Sequence, residues 1–249
     1  MKKKQNYFEE KGDEYSRYRP TYPEELAVAL AERCYKSHHV LEVGCGTGQL
    51  SGVLSKKFDA VTATDPSAEQ IKNATPYNGV SYQQGTAEDI CLPDQDVDLV
   101  VAAQAAHWFD LPTFYEQVKK IGNEHSLLAL ISYGVLSLEG DIGERFAEFY
   151  WKEIHQFWPP ERKHIEQGYQ SFDFPFEEQS LPELYIYRSW TTAELLGYVE
   201  TWSAVRVARK LGNGDIIDGF SREISALCPD ETQTNNIQWP IVGRLGKIH

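Results

Sequence analysis

The chain has 249 residues, of which 41% are hydrophobic and 24% charged, the balance of a folded globular protein. Acidic residues outnumber basic ones 37 to 24, and the resulting formal charge of −13 repels phosphate backbones and argues against nucleic acid as a partner. No apolar run approaches the roughly 18 residues that span a bilayer, and the segment MKKKQNYFEEKGDEY lacks the apolar centre of a signal peptide, so a cytoplasmic protein with no membrane partner is expected.

Pro23 suits the first turn of a helix in which Leu26, Leu30 and Cys34 recur at helical spacing. Residues 40–43 form a short β-rich run that ends in Gly44-Cys45-Gly46-Thr47-Gly48, after which Leu50, Val53 and Leu54 resume the helical period. Residues 60–64 read as a strand ending at Asp65, and 68–74 as a helix. Further strands are predicted over 80–84, 99–103 and 127–132, with a helix over 111–121 between the last two. Strands and helices alternating at this pitch predict an α/β fold, a doubly wound, Rossmann-like, mostly parallel sheet with helices on both faces.

The rhythm changes after Tyr133. Ile142, Phe146, Phe149, Tyr150, Ile154 and Phe157 fall at spacings of three and four, an amphipathic helix that Pro159-Pro160 stops. The aromatic, proline-marked stretch 162–183 reads as a loop and 184–189 as a strand. Thr191 and Glu194 form a capping box for a helix running to about Ala208, and IQWPIVGRL supplies a last strand. A single domain is therefore expected, with a core over about 20–135 and 184–249 and a helical cap inserted at about 138–180. Cys34, Cys45, Cys91 and Cys228 lie far apart without C-x-x-C spacing, the pattern of reduced thiols and not of a metal or redox site. His38-His39 likewise lacks convergent ligands.

A strand that runs into close-spaced glycines and then a helix lets backbone approach a nucleotide-like ligand without side-chain obstruction. A nicotinamide site prefers G-x-G-x-x-G, whereas here the third glycine, Gly48, comes one position early. Glu42, just ahead of the glycines, is awkward beside a pyrophosphate and favourable beside a cationic amino-acid moiety. Asp65, 21 residues beyond Gly44, stands where a carboxylate can accept hydrogen bonds from both ribose hydroxyls, a device shared by dinucleotide and S-adenosylmethionine sites. Residues 85–89 follow the third strand, where backbone N–H and a polar side chain can read an adenine edge. A dehydrogenase using a nicotinamide cofactor and a non-catalytic protein that senses S-adenosylmethionine are the competing readings.

Taken together, the segment Glu42–Gly48, Asp65 and Ala87-Glu88 resembles the class I S-adenosylmethionine-dependent methyltransferases over about residues 36–135. The resemblance implies that Glu42, Gly44, Gly46 and Gly48 hold the methionine part of S-adenosyl-L-methionine, Asp65 the ribose, and Ala87 with Glu88 the adenine. It also puts Gln104 at the border of the cofactor, whose product form is S-adenosyl-L-homocysteine. The family often has Asp where Thr86 stands, which moves the adenine contact to Glu88 or to backbone. Residues 15–23 (YSRYRPTYP) and 105–110 (AAHWFD), with Trp151, Gly168-Tyr169 and 173–176, resemble the trans-aconitate methyltransferase-like group over nearly the whole chain. That narrower resemblance implies a small, carboxylate-bearing acceptor.

Arg19, held by the rigid backbone before Pro20, can pair with a carboxylate of the cofactor or of the substrate; the cofactor is favoured, with Tyr15 closing over it. His107, at the end of the fourth strand, is the candidate catalytic residue, taking a proton from a hydroxyl or amine acceptor or donating one to a carboxylate. Trp108, Trp151 and Tyr169 are candidate walls of the substrate pocket, and Trp108 can instead stack on the sulfonium. The oligomeric state is left open and a monomer is compatible with the sequence.

Overall fold

The computed structural model describes residues 20–249, and its strands lie where aliphatic and β-branched residues cluster. Two compact units are present. The larger, Thr21–Val135 with Glu161–Ile186 and Trp239–His249, carries the sheet. In it β1 (His39–Val43), β2 (Ala60–Asp65), β3 (Val80–Gln84), β4 (Val97–Ala103) and β5 (Gly122–Tyr133) run parallel in the order β3-β2-β1-β4-β5. The central strands are mostly apolar because both of their faces are covered: Val40, Leu41, Leu99, Val100 and Val101 are fully buried. β9 (Thr234–Lys247) follows in the order, antiparallel to β5, pairing Leu127 with Lys247 and Tyr133 with Ile241.

Helices α1 (Glu24–Ala31), α2 (Ser51–Leu54), α3 (Ala68–Lys72) and α4 (Leu111–Ile121) belong to the same unit. The bounds of β3 and α4 are those predicted from sequence, and β4 and β5 extend beyond their predicted ends. The chain builds outward from β1 to β3 and then returns to the other side of β1 with β4. The strand order thus reverses between β1 and β4, and ligands of open α/β sheets bind outside the carboxyl ends of the strands at such a reversal.

Residues 162–183, read from sequence as a loop, contain α6 (Arg162–Glu166) and β7 (Glu177–Gln179), which pairs antiparallel with β9. Phe174 and Phe176 of this stretch are core residues. They are buried edge-on against Tyr115, 6.2 and 5.1 Å between centroids, inside the main apolar core. Arg244 of β9 stacks over Phe174 at 4.6 Å and pairs with Glu178, so this segment is anchored to the sheet.

The second unit comprises Leu136–Pro160 and Tyr187–Gln238, whereas the expected insert is 138–180; 161–186 clusters with the larger unit. It holds β6 (Ser137–Leu138), α5 (Gly140–Glu148), α7 (Thr192–Glu200), α8 (Ser203–Lys210) and α9 (Gly214–Leu227), and β8 (Leu184–Thr191) leads into it. The expected helix over 142–157 is helical throughout but not α throughout. A π-helical turn (Phe149–Ile154) and a 3₁₀ turn (His155–Phe157) follow α5. The widened turn lets Phe149, Tyr150 and Ile154 all be buried while Trp151 stays half exposed. Phe149 stacks on Phe220 at 3.9 Å, and the Arg145 guanidinium lies over the same Phe220 ring while pairing with Glu153 and Glu223. The helix expected to reach Ala208 is two helices broken at Thr201-Trp202, and α9 was not foreseen.

The capping box is present: Glu194 N donates to Thr191 Oγ1 at 3.3 Å and Thr191 N donates to Glu194 Oε2 at 2.9 Å. Thr191→Ala should cost about 1 kcal/mol, the usual worth of an N-cap, read as a lowered midpoint in urea unfolding with unchanged slope. An unchanged midpoint would mean that α7 is held by packing alone.

Candidate functional site

The glycine loop joins β1 to α2 at the reversal of strand order. Gly44, Gly46 and Gly48 all have left-handed backbone, with φ of 76°, 57° and 86°. Gly44 and Gly48 face protein. A Cβ on Gly44 would sit 2.5 Å from the Ala105 Cβ just past β4, and one on Gly48 would sit 2.1 Å from the Tyr82 hydroxyl of β3. Gly46 faces open space, its nearest neighbour being Gln70 Oε1 at 3.9 Å, and is the position where a ligand can meet bare backbone.

Asp65, at the end of β2, accepts from Gly46 N with Oδ2 and from Ser67 N with Oδ1, both at 2.9 Å. Each oxygen keeps acceptor capacity, because an ionised carboxylate offers about four lone-pair sites. Glu42 is buried at 2% exposure and accepts a short hydrogen bond from Ser51 at the start of α2. Burial pushes its carboxyl up to about 8; the Ser51 hydrogen bond opposes the rise and the Asp65 charge adds to it. The Tyr82 hydroxyl, packed against Gly48, donates to Thr75 O at 2.9 Å. Burial likewise pushes the Cys45 thiol up, with Glu42 and Asp65 adding to it, so this buried cysteine is an inert packing residue.

Ala87 is buried in the main core, and Glu88 Oε1 accepts from Asp110 N at 2.9 Å, tying the loop after β3 to the start of α4. Gln104 ends β4 in a left-handed conformation (φ 56°); its N donates to Ile131 O and its Nε2 to Tyr133 O. His107 and Trp108 lie on the following 3₁₀ turn (Ala106–Trp108), their rings 4.8 Å apart. The Nδ1 of His107 is 3.4 Å from the hydroxyl of Tyr169. Tyr169 is fully buried, and burial raises its phenol well above the ordinary tyrosine range.

The carboxyl ends of β1, β2, β3 and β4 therefore carry the glycine loop, Asp65, Ala87 with Glu88, and Gln104 with His107 and Trp108. Trp151 lies on the π turn of the second unit, against His155 at 5.2 Å. Tyr15 and Arg19 lie outside the described residues. Sequence reasoning missed Ser51, Tyr82 and Arg162. The first two are contacts between distant segments, and Arg162, near enough to Tyr169 to bias its phenol electrostatically, sits in the stretch read as a loop. Among the described residues no group of three or more His, Cys, Asp or Glu could hold a metal ion, and no helix is long and apolar enough to cross a membrane.

A family model described as a methyltransferase domain matches residues 41–130, the glycine loop through β5. A Dictyostelium discoideum protein designated a methyltransferase, with no acceptor named, is 35% identical over 207 residues, covering 82% of this chain and 79% of its own length. The chain belongs to the S-adenosylmethionine-dependent methyltransferases. A solved structure from Anaeromyxobacter dehalogenans, described as a type II methyltransferase, superposes on this methyltransferase with a TM-score of 0.88 at 35% identity, covering 92% of this chain and 98% of that one. The malonyl-[acyl-carrier protein] O-methyltransferase of Priestia megaterium is 28% identical over 134 residues, 49% of this chain and 48% of its own.

Glu42 makes stability depend on pH in a defined direction. Its carboxyl ionises near its ordinary value of 4.5 in the unfolded chain and near 8 in the fold, so between those limits the folded state binds more protons and stability falls as pH rises. Glu42→Gln removes this dependence. The melting temperature of the variant relative to the native methyltransferase should rise steadily from about pH 5 to about pH 8. A constant difference by calorimetry would mean that Glu42 ionises at its ordinary value.

Proposed function

We propose that this methyltransferase acts on an oxygen of a small, carboxylate-bearing molecule and belongs with the trans-aconitate methyltransferase-like group. The observation that carries the acceptor class is the His107 imidazole just past β4, with the Tyr169 hydroxyl 3.4 Å from its Nδ1. An imidazole N–H placed there favours an anionic group. The Priestia megaterium relative is named for O-methylation of a malonyl group, which is support from the same family. The formal charge of −13 also favours a small acceptor over a nucleic acid.

The residues at the carboxyl ends of the strands fit S-adenosylmethionine. Gly46 leaves room for the methionine part at bare backbone, and Asp65 keeps free lone pairs on both oxygens for the ribose hydroxyls. Ala87 and Glu88 would border the adenine, and Gln104 the methionine end. When bound, S-adenosylmethionine supplies a methyl carbon activated by its sulfonium. Alignment and exclusion of water are then the main tasks of the protein. An ionised carboxylate needs no general base. His107 would hold one of its oxygens and leave the other to attack, and the same hydrogen bond survives in the ester product, whose carbonyl oxygen still accepts. Trp108 would limit the size of the acceptor, whereas Tyr169, expected from sequence as a pocket wall, is fully buried behind His107.

Calorimetric titration with S-adenosylhomocysteine should give micromolar binding and titration with NADH none; the reverse result overturns the cofactor assignment. Asp65→Ala should weaken S-adenosylhomocysteine binding by tenfold or more, roughly the worth of charge-assisted hydrogen bonds to two hydroxyls, and unchanged affinity would remove Asp65 from the ribose site. In a screen of small dicarboxylates and tricarboxylates with S-adenosylmethionine, His107→Ala should lower kcat on the accepted compound by about tenfold or more while leaving cofactor affinity within about twofold. Equal losses in both would make His107 a packing residue.

A further inference from the structure

Among the described non-glycine residues, three have left-handed backbone: Gln95, Gln104 and Tyr169. For an aromatic side chain this conformation is strained, and it persists only where the surroundings hold it. Tyr169 is held on several sides. Its N donates to His164 O at 2.8 Å, completing the end of α6. The preceding Gly168 is also left-handed (φ 57°) and lies so close to β9 that a Cβ there would be 3.0 Å from the Val242 Cβ. The Phe172 ring stacks on one face of Tyr169 at 5.0 Å and 21°. The Phe172 carbonyl in turn accepts from Arg244 Nη1 at 2.7 Å, and Arg244 is paired with Glu178. The His107 ring lies nearly parallel to Tyr169, at 21° and 6.3 Å.

The product of this scaffolding is a fully buried phenol whose hydroxyl is 3.4 Å from His107 Nδ1. We infer that Tyr169 is a positioning residue for His107: its hydroxyl donates to Nδ1 and fixes the neutral imidazole with its proton on Nε2. The inference rests on the reading of His107 as the group that faces the acceptor. Burial keeps the phenol protonated through the physiological range, so its proton is always available for donation. An imidazole set in this tautomer offers an N–H from Nε2. It can anchor one oxygen of an ionised carboxylate, and it cannot take a proton through that nitrogen. Tyr169 would thereby select acceptors that arrive already ionised and disfavour hydroxyl acceptors, which must lose a proton to react.

The test is the nitrogen-15 imidazole spectrum of the full, uniformly labelled chain at about pH 8, where an ordinary histidine is neutral, with the His107 signals among the seven histidines assigned from their absence in His107→Gln. The expected result is protonated Nε2 and bare Nδ1 in the native chain, and a mixture of both tautomers in Tyr169→Phe, which keeps the ring stack and removes only the hydroxyl. Turnover on the carboxylate found by screening should fall about tenfold in kcat in Tyr169→Phe, with KM for S-adenosylmethionine within about twofold, the size expected for one lost hydrogen bond. A proton on Nδ1 in the native chain overturns the inference and needs neither a variant nor an acceptor. A tautomer and a kcat both unchanged in Tyr169→Phe, where His107→Ala still loses transfer, overturn the role of Tyr169 and leave that of His107 standing. Full transfer by His107→Ala overturns the underlying reading instead.

Discussion

The carboxylate of Asp65 receives a backbone N–H from each of two loops, Gly46 from the end of β1 and Ser67 from the end of β2 itself, and the geometry of the site depends on that pair of hydrogen bonds. It can be made only if β1 and β2 are in the observed parallel register, Leu41 beside Thr62 and Val43 beside Thr64. The carbonyl of Thr64 reinforces the tie by accepting from both Gly44 N and Cys45 N, at 2.7 and 2.9 Å. A shift of one residue would turn every side chain to the other face of the sheet and withdraw the carboxylate from the loop. The hydrophobic pattern of two buried strands therefore sets the position of a polar group at their ends.

The three glycines of the loop are required for different reasons. Gly44 allows β1 and the segment after β4 to meet at the reversal of strand order, against Ala105. Gly48 admits the Tyr82 hydroxyl from β3 beneath the loop. Gly46 alone opens outward. The loop is thus clamped at both ends and bare in its middle, the arrangement that lets backbone approach a ligand without a side chain between them. Beneath it, the buried hydroxyl of Ser51 donates to Glu42, which keeps the carboxyl of Glu42 from being a buried polar group without a partner.

Aromatic residues divide between the two units according to what they cover. In the second unit Phe149, Phe220 and their neighbours close the core of a helical assembly, with Arg145 and its two carboxylates at its edge. In the larger unit Phe174 and Phe176 complete the packing on α4, and Phe172 and Tyr169 stack toward His107. Adjacent rings in one short segment thus serve either packing or the site. The left-handed turn at Gly168 and Tyr169 redirects the chain after α6 ahead of these rings.

The sequence by itself determined the parallel sheet, the glycine loop and Asp65, because these rest on local signals: apolar runs of strand length, helical spacing, and glycines ahead of a helix. It also determined the capping box at Thr191, whose two partners are three residues apart. Only the tertiary structure decided the partition into two units, the assignment of 161–186 to the larger one, and the contacts Glu42–Ser51, Gly48–Tyr82 and His107–Tyr169. These join segments as far apart as 62 residues, and no period or spacing encodes which distant side chains will meet. The break at Thr201-Trp202 and the π turn at Phe149–Ile154 escaped for the same reason. Helical spacing shows that residues share a face, but the demand to bury every ring against its neighbours decides how tightly the helix is wound and where it stops.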